Sequence, residues 1–398
     1  MIRLSHSGPG PHDGKKALIL NGGGVSAAAY EIGCLAALDR ALGAGFCART
    51  FDIYVGVSAG AVLASLGANA VSPNRLRKDI LEDRHSTFNF RRSDIYGIEY
   101  TRALNKAWTT MRRMTSILYS YRREGADFSL FDLINVAQEL LPSGLFSLTP
   151  FEKFLADGFA SEDLGNRFED LPRELYIPAI DLDRGERVVF GEEQERDLTI
   201  SEAITASCAL PAFFRPYQIG ERSFIDGAMG GHCHLDVAIA HGAKTLFVIN
   251  PLVPIEMKPQ EPQIPARAAD GGVRVADMGI SFVGDQAMRI LGRDRLEASL
   301  KLVQSNHPDV RIVLIEPSRK EPLLFLHSPM SFEGRPQILE YGYESTLSDL
   351  ETCGTEISDL LGADANRNGL ACTHSRSPVP QPGTSVESAL AEDRALIR

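Results

Sequence analysis

Gly56-Val57-Ser58-Ala59-Gly60 stands between an apolar run, Phe51-Asp52-Ile53-Tyr54-Val55, and a stretch of small residues at helical spacing, Ala59 to Ala70. This order predicts a strand, a tight turn and a helix, with a serine on the turn. A serine so placed needs small neighbours two positions to either side, where a Cβ would collide with the strand or the helix. Gly56 and Gly60 leave that space. The turn would lift the Ser58 oxygen clear of the backbone at a helix N-terminus, where unpaired N–H groups and the macrodipole favour developing negative charge. Ser58 is the candidate nucleophile, although a chain with 35 glycines can also carry such a pentapeptide by chance.

A second strand, glycine loop and helix unit precedes the elbow. Lys15 to Asn21 reads as a short buried strand, Gly22-Gly23-Gly24 follows, and an apolar helical run extends from Ser26 to Leu42. Two such units in succession predict an α/β fold with a parallel sheet and crossover helices. Residues 72–170 change character to helices with mixed charge and aromatics, and read as an insertion over the sheet. Strand patterns resume at Tyr176 to Ile180 and recur at Arg187 to Phe190, Ser223 to Ile225, Thr245 to Asn250 and Val310 to Ile315. Helical patterns cover Val273 to Gln304 and Pro336 to Leu361. The expected organisation is a flexible stretch over 1–14, one domain over 15–361, and a disordered tail over 362–398 that is rich in Ser, Pro, Asn and charge.

Composition narrows the partners. No stretch approaches the ~20 apolar residues needed to span a bilayer, and Met1 to Gly14 lack the apolar core of a secretion signal, so a cytoplasmic protein is expected. Six scattered cysteines without a C-x-x-C pair suggest neither a zinc ribbon nor a disulfide framework. A net charge of −11 argues against nucleic-acid binding, yet residues 72–125 hold twelve Lys or Arg against six Asp or Glu. Within them, Arg102 to Arg123 has the spacing of a basic amphipathic helix, with Leu104, Trp108, Met111 and Leu118 near one face. Such a helix suits either the core or peripheral contact with an anionic membrane.

A serine oxygen needs a base, and an oxyanion needs donors. Asp226 lies at the end of Phe224-Ile225 and precedes Gly227-Ala228, which places its carboxylate on a turn after a short strand. A carboxylate of free pKa about 4 serves as a base only where poor solvation raises it; the alternative is an ordinary Asp-Gly turn. Gly22, Gly23 and Gly24, just before a helix, would let backbone N–H groups approach an oxyanion. Gly22, Gly24 and Ala27 also satisfy the dinucleotide fingerprint, but that motif needs an acidic residue at the end of the second strand, where Val55 and the elbow stand.

Taken in order, Gly22-Gly23-Gly24, Gly56-Val57-Ser58-Ala59-Gly60 and Asp226-Gly227-Ala228 resemble the patatin-like phospholipases, whose catalytic apparatus is a Ser–Asp dyad without histidine. Ala206-Ser207-Cys208-Ala209-Leu210-Pro211 and the segment from Asp236 to Asn250 are also similar to that family. The resemblance covers about Lys15 to Ala70 and Tyr176 to Pro251. It implies a three-layer α/β sandwich with a mainly parallel sheet, and hydrolysis of acyl esters in phospholipid or lysophospholipid without metal or other cofactor. In that scheme Ser58 attacks the ester carbonyl, Asp226 takes its proton and later activates water, and the Gly22 to Gly24 amides hold the oxyanion. A soluble esterase or thioesterase, an acyltransferase, or an inactive lipid-binding module remain alternatives on the same residues.

The chain departs from the family at two places. Ser26 and Ala27 stand where a basic residue and a glycine usually follow the glycine run, which bears on the shape of the oxyanion loop and on any headgroup contact. Met229 to Leu235 replaces the usual Asn and Pro after the aspartate. Within it, His232 and His234 suit a packing role better than a triad histidine or a metal pair, because no partner cluster has ligand spacing. Asp364 to Gly369 imitates half a calcium loop, but Ser375 stands at the twelfth position, where Glu is required.

Overall fold

A computed structural model describes residues 1–5, 14–84, 86, 88–95, 143–231, 233–257, 274–327 and 329–361. Its strands are β1 (Ile2–Ser5), β2 (Lys15–Leu20), β3 (Ile53–Gly56), β4 (Gly144–Phe146), β5 (Glu174–Asp181), β6 (Glu186–Phe190), β7 (Ala212–Phe214), β8 (Tyr217–Ile219), β9 (Arg222–Asp226), β10 (Ala243–Ile249) and β11 (Arg311–Ile315). The helices are α1 (Gly24–Leu42), α2 (Phe46–Thr50), α3 (Ala59–Ala68), α4 (Pro73–Leu81), α5 (Arg92–Ile95), α6 (Thr149–Ser161), α7 (Ile200–Ser207), α8 (Leu235–Ala240), α9 (Ile280–Asn306), α10 (Leu323–Leu326) and α11 (Arg335–Leu361).

Nine strands form the main sheet in the order β1-β11-β10-β2-β3-β5-β9-β8, with β6 also paired to β5. From β11 to β5 every pairing is parallel, and β1, β6, β9 and β8 join antiparallel. The central strands are continuous apolar runs because both of their faces are covered. Alternate residues serve opposite faces. Leu18, Leu20, Tyr54, Phe247 and Val313 pack in one core with α1, α3 and α11. Ile19, Val55, Leu246, Val248 and Leu314 pack in a second with Leu235 and Val237 of α8 and Leu296, Leu300 and Val303 of α9. The result is a three-layer α/β sandwich.

Helix α1 is buried along nearly its whole length, from Val25 to Asp39, which explains its all-round apolar sequence. It leaves the C-terminal end of β2, and α3 leaves the neighbouring end of β3, so two helix N-termini meet at one edge of the sheet. Strand register brings the third component to the same level. Val55 lies opposite Tyr176 of β5, and three residues further along β5, Ala179 lies opposite Asp226 of β9.

Ile2–Ser5, within the stretch expected to be flexible, pairs antiparallel with β11. The edge of the sheet offered unpaired backbone groups, and the Met1 amino group reaches the Asp349 carboxylate at 3.0 Å. Between α3 and β5, the described parts of residues 72–170 include α4, α5, β4, α6 and a 3-10 turn at Phe168–Asp170. The basic segment Arg102 to Arg123, His232 and the tail over 362–398 lie outside the described residues.

Candidate active site

Ser58 occupies the turn between β3 and α3 with φ 54° and ψ −129°, a conformation that a non-glycine residue holds only when its surroundings enforce it. Those surroundings are on both sides. Gly60 N–H donates to Val57 O at 2.9 Å, closing the turn. A Cβ on Gly60 would lie 2.4 Å from Leu20 O and 2.9 Å from Gly22 N, and a Cβ on Gly22 would lie 2.2 Å from Val57 O. The elbow and the glycine loop are therefore in backbone contact, and glycine is required on each side. The Ser58 N–H donates to Ser207 Oγ at 2.9 Å, and that hydroxyl in turn donates to Pro178 O at 2.7 Å. Ser207 thus ties the elbow to β5. Sequence reasoning gave it no role, although it lies in the Ala206 to Pro211 segment that resembles the family.

Asp226 ends β9 and is 2% exposed, whereas Ser58 is half-buried. Burial pushes the Asp226 carboxyl up to about 6, against the opposing pull of hydrogen bonds from Ala228 N–H and the Ser58 hydroxyl. The Ala228 bond to Oδ1 is 2.9 Å long. Gly227–Met229 forms one 3-10 turn, so Gly227 and Ala228 set the direction of the carboxylate. The imidazole of His234 lies behind this turn: Nε2 donates to Gly227 O at 3.3 Å and Nδ1 accepts from Arg187 at 3.2 Å. His234 is thereby a packing residue that buttresses the Asp226 turn, with both ring nitrogens engaged.

The glycine loop has three successive positive φ values, 67°, 122° and 80° at Gly22, Gly23 and Gly24, and leads directly into α1. Its amides are not equivalent. Gly22 N–H donates to Glu31 Oε1 at 3.1 Å, so this amide shapes the loop, and Gly23 and Gly24 are the candidate oxyanion donors at the positive end of α1. Glu31 is fully buried, which pushes its carboxyl up to about 8 despite the amide bonds that favour the anion. Burial thus favours its uncharged form beneath a loop suited to negative charge. Pro329 O closes the outer side of the loop by accepting Ser26 N–H at 3.3 Å. No sequence pattern had pointed to Glu31.

Ser58 and Asp226 open onto a cavity of about 700 Å³. Its walls are largely apolar: Val25 and Ile32 from α1, Val62 and Leu66 from α3, and Phe88 and Phe151 from the described part of the insertion. At the mouth, α9 contributes Met288 and Leu291, which are 48% and 43% exposed. A long apolar pocket beside an oriented hydroxyl, a buried carboxylate and backbone donors can bind an acyl chain and place its ester carbonyl against the serine.

The family model for patatin-like phospholipases matches residues 18–239, more than half of the chain. The chain belongs to the patatin-like phospholipase family. The three-layer sandwich and mainly parallel sheet are the patatin fold, and membership places the chain among lipid acyl hydrolases acting on lipid esters. No curated protein matches the sequence. Among solved structures, that of VipD from Legionella pneumophila is similar at 14% identity and a TM-score of 0.34, over 88% of this chain and 70% of that one.

Proposed function

We propose that this patatin-like chain is a phospholipase A or lysophospholipase that works through an acyl-serine on Ser58, with Asp226 as its base. The observation that carries this reading is Ser58, held on a strained elbow, and the buried Asp226 carboxylate lining the same apolar cavity. As the Ser58 oxygen attacks the ester carbonyl, its proton passes to Asp226. The carbonyl oxygen becomes an oxyanion held by the Gly23 and Gly24 amides and the α1 dipole. Collapse breaks the ester bond, and Asp226 returns the proton to the departing lysolipid or glycerol oxygen. Water then enters, gives a proton to Asp226 and attacks the acyl-serine; the proton returns to Ser58 as fatty acid leaves.

No helix among the described residues is long and apolar enough to cross a membrane. Contact with the bilayer in this reading is peripheral and cytoplasmic. The exposed apolar side chains of Ile280, Met288 and Leu291 on α9 suit it, beside any contribution of residues 72–125.

The pH–rate profile tests the two carboxyl groups. Asp226 must be ionised to take a proton, so kcat/KM is expected to fall about tenfold per pH unit below about 6. Ionisation of Glu31 above about 8 puts a negative charge under the oxyanion loop and is expected to lower activity on the alkaline side. Glu31→Gln should remove the alkaline limb and retain the acidic one. An acidic limb near 4, or an alkaline limb that persists in Glu31→Gln, contradicts these assignments.

A further inference from the structure

We infer that Arg295, on α9, is the phosphate-recognising residue of this site and takes the phosphodiester of a glycerophospholipid substrate. The inference rests on the hydrolase reading and names the substrate chemistry the same cavity selects. Gly22 to Ala29 carry no cationic side chain; Ser26 is 3% exposed, its amide is bound by Pro329 O, and it does not line the cavity. The glycine loop of this chain therefore presents no cation of its own to a headgroup.

Among the described residues three arginines line the cavity, and their engagements differ. Arg289 is buried, pairs with Asp285 at 2.6 Å and donates to the carbonyls of Val253 and Leu324. Arg335 is held by Asn89 Oδ1 at 2.9 Å and by the carbonyls of Phe90 and Phe332. Arg295 is exposed and donates Nη1 to Met229 O at 3.1 Å, the carbonyl that ends the turn after Asp226. It forms no salt bridge among the described residues. One anchored N–H fixes the guanidinium beside the catalytic turn, and the remaining donors of the fork are available to two phosphate oxygens. A phosphodiester lies a few bonds from the scissile carbonyl of a glycerophospholipid, so a cation at the rim meets the headgroup while the acyl chain fills the apolar interior.

The test separates headgroup recognition from chemistry by measuring binding to Ser58→Ala protein, in which turnover plays no part. Lysophosphatidylcholine and a monoacylglycerol of the same acyl chain are compared by calorimetry, with and without Arg295→Gln. The expected result is about a tenfold loss in the affinity ratio of phospholipid to monoacylglycerol, partly recovered in Arg295→Lys, which keeps the charge without the fork. A ratio within twofold of the parent, or equal losses for both lipids, overturns the inference. Inorganic phosphate provides the other source of the same chemistry: binding as tight as that of the lipid, and equally dependent on Arg295, would make this an anion site unrelated to lipid and would also overturn it. Failure of the hydrolase reading is distinguishable, because it would show as turnover independent of Ser58.

Discussion

Asp226→Asn is expected to lower kcat by about 10²–10⁴-fold, the range general-base catalysis supplies, while the protein stays folded. The amide keeps an oxygen for the Ala228 N–H and has nearly the shape of the carboxylate, but it cannot take the Ser58 proton. Because Ser58 and Asp226 act as a unit, the double variant with Ser58→Ala is expected to be little worse than Ser58→Ala alone. The same substitution has a second signature. Asp226 holds its proton more tightly in the folded chain, at about 6, than in the unfolded one, at the ordinary 3.8. Its contribution to stability is therefore full below about pH 4 and is lost as pH rises through 6, at a cost of about 3 kcal/mol above that range. Asp226→Asn should lack this dependence and melt higher than wild type at pH 7, a difference that thermal unfolding at pH 4 and pH 7 reads directly. Near-normal turnover in the folded variant would move the base elsewhere; the His234 imidazole lies behind the Asp226 turn, but its ring is held by Gly227 O and Arg187.

Gly60→Ala is expected to damage stability and chemistry together. The new methyl carbon would meet Leu20 O at 2.4 Å and Gly22 N at 2.9 Å, both backbone atoms of a buried loop that cannot rotate away. The elbow and the oxyanion loop would have to separate. Overpacking of this kind costs about 1–3 kcal/mol, and displacement of the nucleophile from its donors by an ångström costs on the order of 10²-fold in rate. Denaturant unfolding and kcat measured on the same preparation check both parts. A variant with wild-type stability and rate would show that the contact between the two loops is not required.

Much of this arrangement was legible in the sequence because it depends on local order. The elbow, the glycine loop and the Asp-Gly turn each announce themselves by residues that a tight backbone demands, and the apolar runs of β2, β3, β10 and β11 mark strands buried on both faces. Short or edge elements were not legible. Ile2–Ser5 joins the sheet only because β11 offers it an edge, and β4, β7 and β8 are three-residue strands defined by their partners rather than by pattern. Long-range polar contacts were hidden for the same reason. Glu31 reads as one acidic residue within an apolar helix, and only the fold puts it under Gly22; Ser207 reads as an ordinary helix-end serine, and only the fold sets its hydroxyl between Ser58 N–H and Pro178 O.

The most direct measurement is fatty-acid release from liposomes of mixed zwitterionic and anionic phospholipid by wild-type protein and Ser58→Ala, with a chelator added to one sample of each. Wild-type release that survives the chelator, with a loss of 10⁴-fold or more in folded Ser58→Ala, is expected if an acyl-serine carries the reaction. Equal release by both proteins would contradict it.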